Sequence, residues 1–372
     1  MNPDTPTVAI GLSGGVDSSV AAHLLQRQGY KLIGLTMQIW DGSIPLPDEG
    51  LSGCFGPGEA RDIAAAQSLA RRLDIPHHVI PLSGEYTGEI LSYFRKEYQA
   101  GRTPNPCVRC NRKMKFGLLL QRAKALGIAF DLFATGHYAR IEKDPRTERF
   151  VLLRAADHQK DQSYFLAHLE QEQLAHTLFP LGHMRKDEVK QVARDIGWTE
   201  IADKQESQNF IESKSYDVLF DGNAAPGPIV DLAGHALGQH QGIIRYTVGQ
   251  RKGLGLGGAK DPLYVVRLDA CTNTVVVGHH KDLFSSSLLA RHANWIALAS
   301  APHTPLRVHA KIRQQHHEAP ATLSVTTTAG SDLLRLDFDE PQMAITPGQT
   351  VVCYDGDRVL CGATIELPTP AA

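Results

Sequence analysis

The stretch Thr7-Val8-Ala9-Ile10-Gly11-Leu12-Ser13-Gly14-Gly15-Val16-Asp17-Ser18-Ser19 decides the fold. Its opening run is short, apolar and β-branched, as a buried strand requires. Two glycines follow in the turn, and from Ser18 onward Val20-Ala21-Ala22-His23-Leu24-Leu25 carries helical spacing. Strand, Gly-rich turn and helix N-terminus together make an anion cradle. The N–H groups of the first helical turn have no partner within the helix, and the macrodipole adds about half a positive charge there. Gly14 and Gly15 let the backbone take positive φ and approach an oxyanion. Ser13, Ser18 and Ser19 add hydroxyl donors, and Asp17 is a candidate for holding Mg2+ beside bound phosphates.

Other readings of this turn fit less well. Gly11-Leu12-Ser13-Gly14-Gly15 matches the G-x-S-x-G nucleophile elbow, but that elbow normally follows several strands and only six residues precede this one. A Walker-type loop needs a Lys that is absent here. The pattern S-G-G-x-D-S resembles the PP-loop of ATP pyrophosphatases, which split ATP into AMP and pyrophosphate to activate a carbonyl oxygen. An ATP site over Gly11, Leu12, Ser13, Gly14, Gly15, Val16, Asp17 and Ser18 is expected.

A chain of 372 residues suggests two or three domains. Apolar content of 42% and charged content of 21% suit a globular protein in water. No apolar run approaches the ~20 residues of a membrane span. Met1-Asn2-Pro3-Asp4 lacks the basic and apolar regions of a signal peptide, so a cytoplasmic location and no membrane partner are expected. Reduced cysteines follow, and a close pair reads as chemistry rather than as a structural bridge.

The net charge of −2 argues against a general coat for nucleic acid. From Arg95 to Lys124, however, nine basic residues face the single acid Glu97. That run brackets a Cys pair, which favours a footprint for a phosphate backbone over a merely solvated helix face.

Beyond the opening motif, strands alternate with helices for about 200 residues, with strands expected at 7–12, 31–39, 77–81 and 130–136 and helices at 17–28, 59–74, 86–99, 113–126 and 185–196. That alternation implies a doubly wound parallel sheet with ligands beyond the carboxyl ends of its strands. The loops after Leu12, Ile39, Ile80 and Thr135 should therefore share one crevice. The Gly/Pro-rich loop at 41–58 is long enough to be functional. After Pro226-Gly-Pro228 the pattern turns to short β-like runs near 229–231, 243–248, 263–268 and 274–278. From about Ser285, runs of period two at 306–313, 321–325, 334–338 and 350–354 read as a small barrel. The expected fold is α/β: a PP-loop domain over 1–206, a small mostly β central domain over 207–284 and a C-terminal β-barrel over 285–372.

The second chemical signal is Arg102-Thr103-Pro104-Asn105-Pro106-Cys107-Val108-Arg109-Cys110-Asn111, read as a Pro-rich loop. With Arg109, Arg112, Lys113 and Lys115 around it, at least one thiol should have a depressed pKa. Thiolate attacks disulfides, carries persulfide sulfur or binds iron. Cys271, Cys353 and Cys361 read as small apolar core residues.

With both motifs in view, the chain resembles the tRNA-specific 2-thiouridylases over nearly its whole length. The matching residues are Ser13–Ser18, Gly101-Arg-Thr-Pro-Asn-Pro106 with Cys110-Asn111, Ala134-Thr-Gly-His-Tyr138, Lys160-Asp-Gln-Ser-Tyr164, Phe179-Pro-Leu-Gly182, Tyr246–Leu254 and Thr346-Pro-Gly-Gln349. The resemblance implies ATP-dependent replacement of the 2-oxygen of a tRNA wobble uridine by sulfur. It places the backbone near Met37 and Gly136 around the adenine and Cys110 as nucleophile. Asn105, Pro106 and Cys107 would meet a flipped-out base, and His137, Lys160, Asp161, Gln162, Arg313, Gln314 and Gln349 map to tRNA-contacting positions. Partners would be tRNA and a sulfur donor protein of the persulfide or relay type.

Here the sequence departs from the family pattern. Many members carry Asp at the position of Cys107 and a second essential Cys after the nucleotide domain, whereas Lys204–Glu212 contains none. Two sulfur chemistries remain open: a [4Fe–4S] cluster on Cys54, Cys107 and Cys110, or a persulfide on Cys110 resolved by Cys107. Two other functions stand against thiolation, an amidotransferase-type synthetase and a non-catalytic tRNA-binding or sulfur-carrier protein switched by ATP.

Overall fold

The apolar run at the N-terminus becomes β1 (Thr7–Gly11), whose Val8, Ala9 and Ile10 are fully buried, Val8 and Ile10 each contributing about 1.5–3 kcal/mol. The computed structural model describes residues 5–46, 51–204, 209–220, 222, 224–257, 261–328 and 331–366. Positions 47–50 of the Gly/Pro-rich loop, and the expected boundary at 206/207, lie outside the described residues.

Four more strands join β1 in a wholly parallel sheet: β2 (Lys31–Gln38), β3 (His77–Pro81), β4 (Leu132–Ala134) and β5 (Thr177–Leu178). The order is β3-β2-β1-β4-β5, with Val8 level with both Leu32 and Leu132. The chain builds outward to β3 and then crosses to the far side of β1. The strand order therefore reverses between β1 and β4, which is where such sheets bind ligands. The helices Val16–Arg27, Glu59–Arg72 and Lys186–Asp195 pack on the sheet through Val20, Leu25, Leu69, Ala70, Val189 and Ala193. These elements fall within a residue or two of their expected positions.

Two helical runs contain π geometry: Ser83 to Gln99, with π turns over Thr87–Leu91, and Pro106 to Ala125, with π turns over Asn111–Leu118. The second run corrects the sequence reading. Cys107 and Cys110 lie in the first turns of a helix rather than in a loop, with Pro106 at its first position, where a missing N–H costs nothing.

The chain forms two compact units, one of residues 1–90, 107–215 and 357–359, the other of 91–106, 216–356 and 360–372. Residues 91–106, placed in the expected first domain, group here with the β-rich unit. Within that unit, β6 (Gly227–Val230), β7 (Ala236–His240), β8 (Tyr264–Asp269) and β9 (Thr274–Gly278) form a sheet ordered β7-β6-β9-β8. Its core holds Ile229, Tyr246, Val265, Leu268, Val275 and Val277. The expected strand at 243–248 is instead a 3-10 turn over Ile243–Arg245, because Ile243 and Tyr246 both point into that core.

Six further strands close a barrel: β10 (Phe284–Trp295), β11 (Leu306–Lys311), β12 (Ala319–Thr328), β13 (Ser331–Met343), β14 (Thr350–Asp355) and β15 (Arg358–Ile365). They run β10-β13-β12-β11-β14-β15, and pairing of Ala290 with Ile365 returns the last strand to the first. Cys353 and Cys361 are buried, as expected. Cys271 is exposed in the turn between β8 and β9, so it is no core residue.

Candidate active site

The turn after β1 is held open by its own hydroxyls. Ser18 Oγ donates to Gly15 O at 3.1 Å and receives Ser13 N at 3.3 Å, while Ser19 Oγ donates to Gly15 O at 2.8 Å. Gly15 caps the helix without any side-chain hydrogen bond, which leaves the first-turn N–H groups for a ligand. Gly14 has φ +69°, and a Cβ there would lie 2.8 Å from both Ala65 Cβ and Asp62 O, so only glycine fits. Lys204 donates to Gly14 O at 3.2 Å and pairs with Asp62 at 2.8 Å, placing a cation at the turn that the sequence reading missed.

Gly136 follows β4 and closes the other wall. A Cβ on it would stand 2.6 Å from Asp17 C and 2.7 Å from Ser18 N, so the two strand-end turns are in van der Waals contact across the switch point. Met37, the penultimate residue of β2, is half-buried and level with Ile80 of β3.

Asp17 does not present a free carboxylate to a cation. Lys186 Nζ lies 2.7 and 2.8 Å from its two oxygens, and Tyr138 Oη donates to Oδ1 at 2.8 Å. Lys186 is buried and comes from the first position of the helix Lys186–Asp195, 169 residues away in sequence. Only the tertiary structure reveals it. The carboxylate expected beside Mg2+ is thus engaged by Lys186 and Tyr138. Lys186 also lines a pocket of about 410 Å³ with His158, Lys160, Arg185, Asp157 and Asp187.

The cysteine helix differs from expectation in charge as well as in shape. Burial pushes the Cys107 thiol up to about 12, and the neighbouring Cys54 and Cys110 add to that shift. Burial likewise pushes the Cys110 thiol up to about 11, with Lys115 opposing. The depressed pKa expected from the surrounding bases is absent for two physical reasons. Desolvation outweighs the cations, and the nearest arginines are already neutralised: Arg109 pairs with Glu89 at 2.8 Å and Arg112 with Glu170. Lys115 alone among these bases opposes the desolvation at both thiols.

The charge of Lys115 also acts on His137 of the turn after β4. His137 donates or accepts at Thr135 Oγ1 through Nδ1 at 2.7 Å, and its ring lies 6.0 Å from those of Phe116 and Phe179. Burial, helped by Lys115, holds the imidazole well below its usual pKa and hence neutral. The charge of Lys115 thus acts on both Cys110 and His137, and Gly136, beside His137 in sequence, packs against Asp17 and Ser18 of the phosphate turn.

The remaining expected RNA contacts divide by environment. Lys160 lines the pocket beside Lys186. Asp161 is buried and accepts from Ala155 N, Ser163 N and Ser163 Oγ. Gln162 Oε1 accepts from Tyr138 N at 2.9 Å. In the other unit, Gln349 Nε2 donates to Thr103 O at 2.8 Å and Pro104 O at 3.3 Å, fixing the segment that carries Asn105 and Pro106. Arg313 donates to Met343 O at 3.1 Å, and Gln314 follows it in the connection after β11.

Cys54, Cys107 and Cys110 feel one another's charge, yet among the described residues no three His, Cys, Asp or Glu side chains are arranged to hold a metal ion. Among the described residues no helix is long and apolar enough to cross a membrane.

Comparison with known proteins places these features in context. Residues 6–212 match the tRNA methyl transferase HUP domain, 221–279 the tRNA methyl transferase PRC-barrel domain and 285–365 the aminomethyltransferase β-barrel domain. The chain is 46% identical over 361 residues to a tRNA-specific 2-thiouridylase MnmA of Endomicrobium trichonymphae, covering 96% of this chain and 98% of that protein. It is 47% identical over 363 residues to its counterpart in Moorella thermoacetica, with 96% and 98% covered. A solved NMN synthetase from Francisella tularensis shares 18% identity over 55% of this chain and 67% of its own, with a TM-score of 0.33, too low to bear on the fold.

Proposed function

The chain belongs to the tRNA-specific 2-thiouridylase family, and from that premise we propose that it converts the wobble uridine of tRNA, position 34, to 2-thiouridine at the expense of ATP. It is a tRNA-uridine 2-sulfurtransferase. ATP lies on Gly11–Ser18 with Met37 and Gly136 about the adenine, and the uncapped helix N-terminus with Lys186 and Lys204 meets the phosphates. The uracil 2-oxygen attacks the α-phosphate, pyrophosphate departs, and the 2-oxygen becomes part of an AMP leaving group. Sulfur carried by Cys110 then attacks C2. Asp17 serves as the partner that holds Lys186 in place, and magnesium travels with the nucleotide's phosphates.

The observation that supports this reading is the Gly-rich turn with its uncapped helix N-terminus, closed by Gly136 against Asp17 and Ser18, in the same compact unit as the cysteine helix. Asn105, Pro106 and Cys107 meet the flipped base, and His137, Lys160, Gln162, Arg313, Gln314 and Gln349 lie along the tRNA path. Lys113 and Arg122, which make no ion pair among the described residues, supply phosphate contacts. Domain limits near 1–206, 207–284 and 285–372 are supported by the three family matches, and the cytoplasm is the working compartment.

The test is AMP formation with and without unmodified tRNA, followed by mass spectrometry of the digested tRNA. AMP that depends on tRNA, with 2-thiouridine appearing at position 34, is the expected result. AMP formed equally without tRNA would overturn it in favour of a small carbonyl substrate.

A further inference from the structure

Asn111 follows the nucleophile directly, and half of its side-chain amide is unused. The residue is 3% exposed and sits where the helix passes from α to π geometry. Its Nδ2 donates to Phe165 O at 3.2 Å. That bond settles which way the amide faces, because reversing it would set two oxygens against each other. Oδ1 is therefore the spare end, shut off from solvent and without a hydrogen-bond partner among the described residues. Folded proteins rarely leave a buried acceptor so, since water solvates it in the unfolded chain and nothing replaces that water on folding. An acceptor kept in this state is available to a donor that arrives later.

Both sides of this amide are held. Phe165 lies in the short helix Ser163–Leu166, and its N–H donates to Gln162 O at 3.0 Å. Asp161 secures the start of that helix through Ser163 N at 3.1 Å and Ser163 Oγ at 2.8 Å. On the other side, Gln173 Nε2 donates to Arg112 O at 3.0 Å and to Phe116 O at 2.8 Å, fastening the π turns that begin at Asn111. Such turns within a helix are frequent at functional sites. Cys107 stands one helical turn before Asn111, and Cys110 one residue before it. Both are only half-buried, so this face of the helix is open on the side of the sulfurs.

We propose that Asn111 Oδ1 accepts the N3–H of the target uracil and thereby selects uridine over cytidine. This rests on the thiolation reading above, in which C2 of the base comes to Cys110. N3 is bonded directly to C2, so an acceptor on the neighbouring residue is within reach of it once C2 is in place. Uracil and cytosine present the same 2-oxygen to ATP and the same C2 to sulfur. They differ at N3, which carries a hydrogen in uracil and a lone pair in cytosine. Against uracil, Oδ1 gains the bond it lacks. Against cytosine, two lone pairs face each other where water does not enter, and both acceptors stay unpaired. A site built around one N–H rejects the analogue without it far more strongly than an apolar pocket rejects a missing methylene. An amide serves here where a carboxylate would not, because it gives a donor to Phe165 O and keeps an acceptor for the base.

The experiment uses the full chain, ATP and three tRNAs alike except at position 34, which is uridine, cytidine or 3-methyluridine. The last keeps the 2-oxygen but has no hydrogen on N3. Release of AMP that depends on tRNA gives kcat/KM for each. The wild type should favour uridine over both others by about a hundredfold or more. Asn111→Ala and the similarly shaped Asn111→Leu should lower the uridine value about tenfold or more and leave the cytidine value within about twofold, so their ratio collapses. Loss of packing alone would lower both values together and leave the ratio where it was. Nucleotide binding by the same preparations reports that they are folded. A wild type that accepts cytidine or 3-methyluridine as readily as uridine would overturn the proposal without recourse to any variant. So would an unchanged ratio of uridine to cytidine in either variant. Absence of AMP from the wild type with the uridine tRNA would instead break the thiolation reading itself.

Discussion

The phosphate turn and the cysteine helix are both short motifs followed by helix, and they respond to their surroundings in opposite ways. In the turn, the groups that define the chemistry are backbone N–H groups freed by local geometry, and the residues that free them, Gly14, Gly15, Ser18 and Ser19, are neighbours in sequence. In the helix, the chemistry depends on whether two thiols ionise, and that is set by residues far away. Glu89 and Glu170 neutralise Arg109 and Arg112, and burial raises both thiols despite the charge run. A motif whose function is geometric survives folding as read; one whose function is electrostatic is rewritten by what packs on it.

The largest effect that would sharpen this contrast is at the nucleophile. Cys110→Ala should lower thiolation by about a thousandfold or more, with ATP binding by the turn unchanged when measured by nucleotide fluorescence. Next is geometry. Gly136→Ala places a methyl group against the Asp17–Ser18 backbone, and tRNA-dependent pyrophosphate release should fall about a hundredfold, since a shift near 1 Å suffices for that. Labelling of Cys110 should be equally telling. With its thiol near 11, iodoacetamide at pH 7 should modify it on the order of a hundredfold more slowly than free cysteine, rising about tenfold per pH unit through pH 10. A rate like that of free cysteine would erase the distinction between the two motifs.

Lys186→Met should raise the KM for ATP about tenfold or more, read from initial rates of AMP release, because it leaves the Asp17 carboxylate without its cation beside incoming phosphate. The smallest effect is expected for Lys115→Met, which removes the one cation opposing desolvation at both thiols. Alkylation of Cys110 should slow a further few-fold, by the order of a fraction of a pKa unit.

Much of the architecture could be read from the chain before folding. Strands β1 to β4, three sheet-covering helices and the barrel runs follow from periodicity, which is a local property. What stayed hidden depends on distance along the chain. Lys186 reaches Asp17 across 169 residues, and Lys204 reaches Gly14 across 190. Asp161, read as an RNA contact from its motif, spends its carboxylate on Ala155 and Ser163. The 3-10 turn at Ile243–Arg245 carries a β-like composition because both its flanks serve one core. The strand holding Cys54 has three residues, too short for any period to show.

Neither compact unit is made of one uninterrupted stretch: residues 91–106 leave the first to join the second, and 357–359 return. During synthesis, then, the nucleotide-binding half lacks its final three residues until nearly the whole polypeptide has been made. A premature stop before Asp357 would strip both halves together, and no single cut yields two separable working parts.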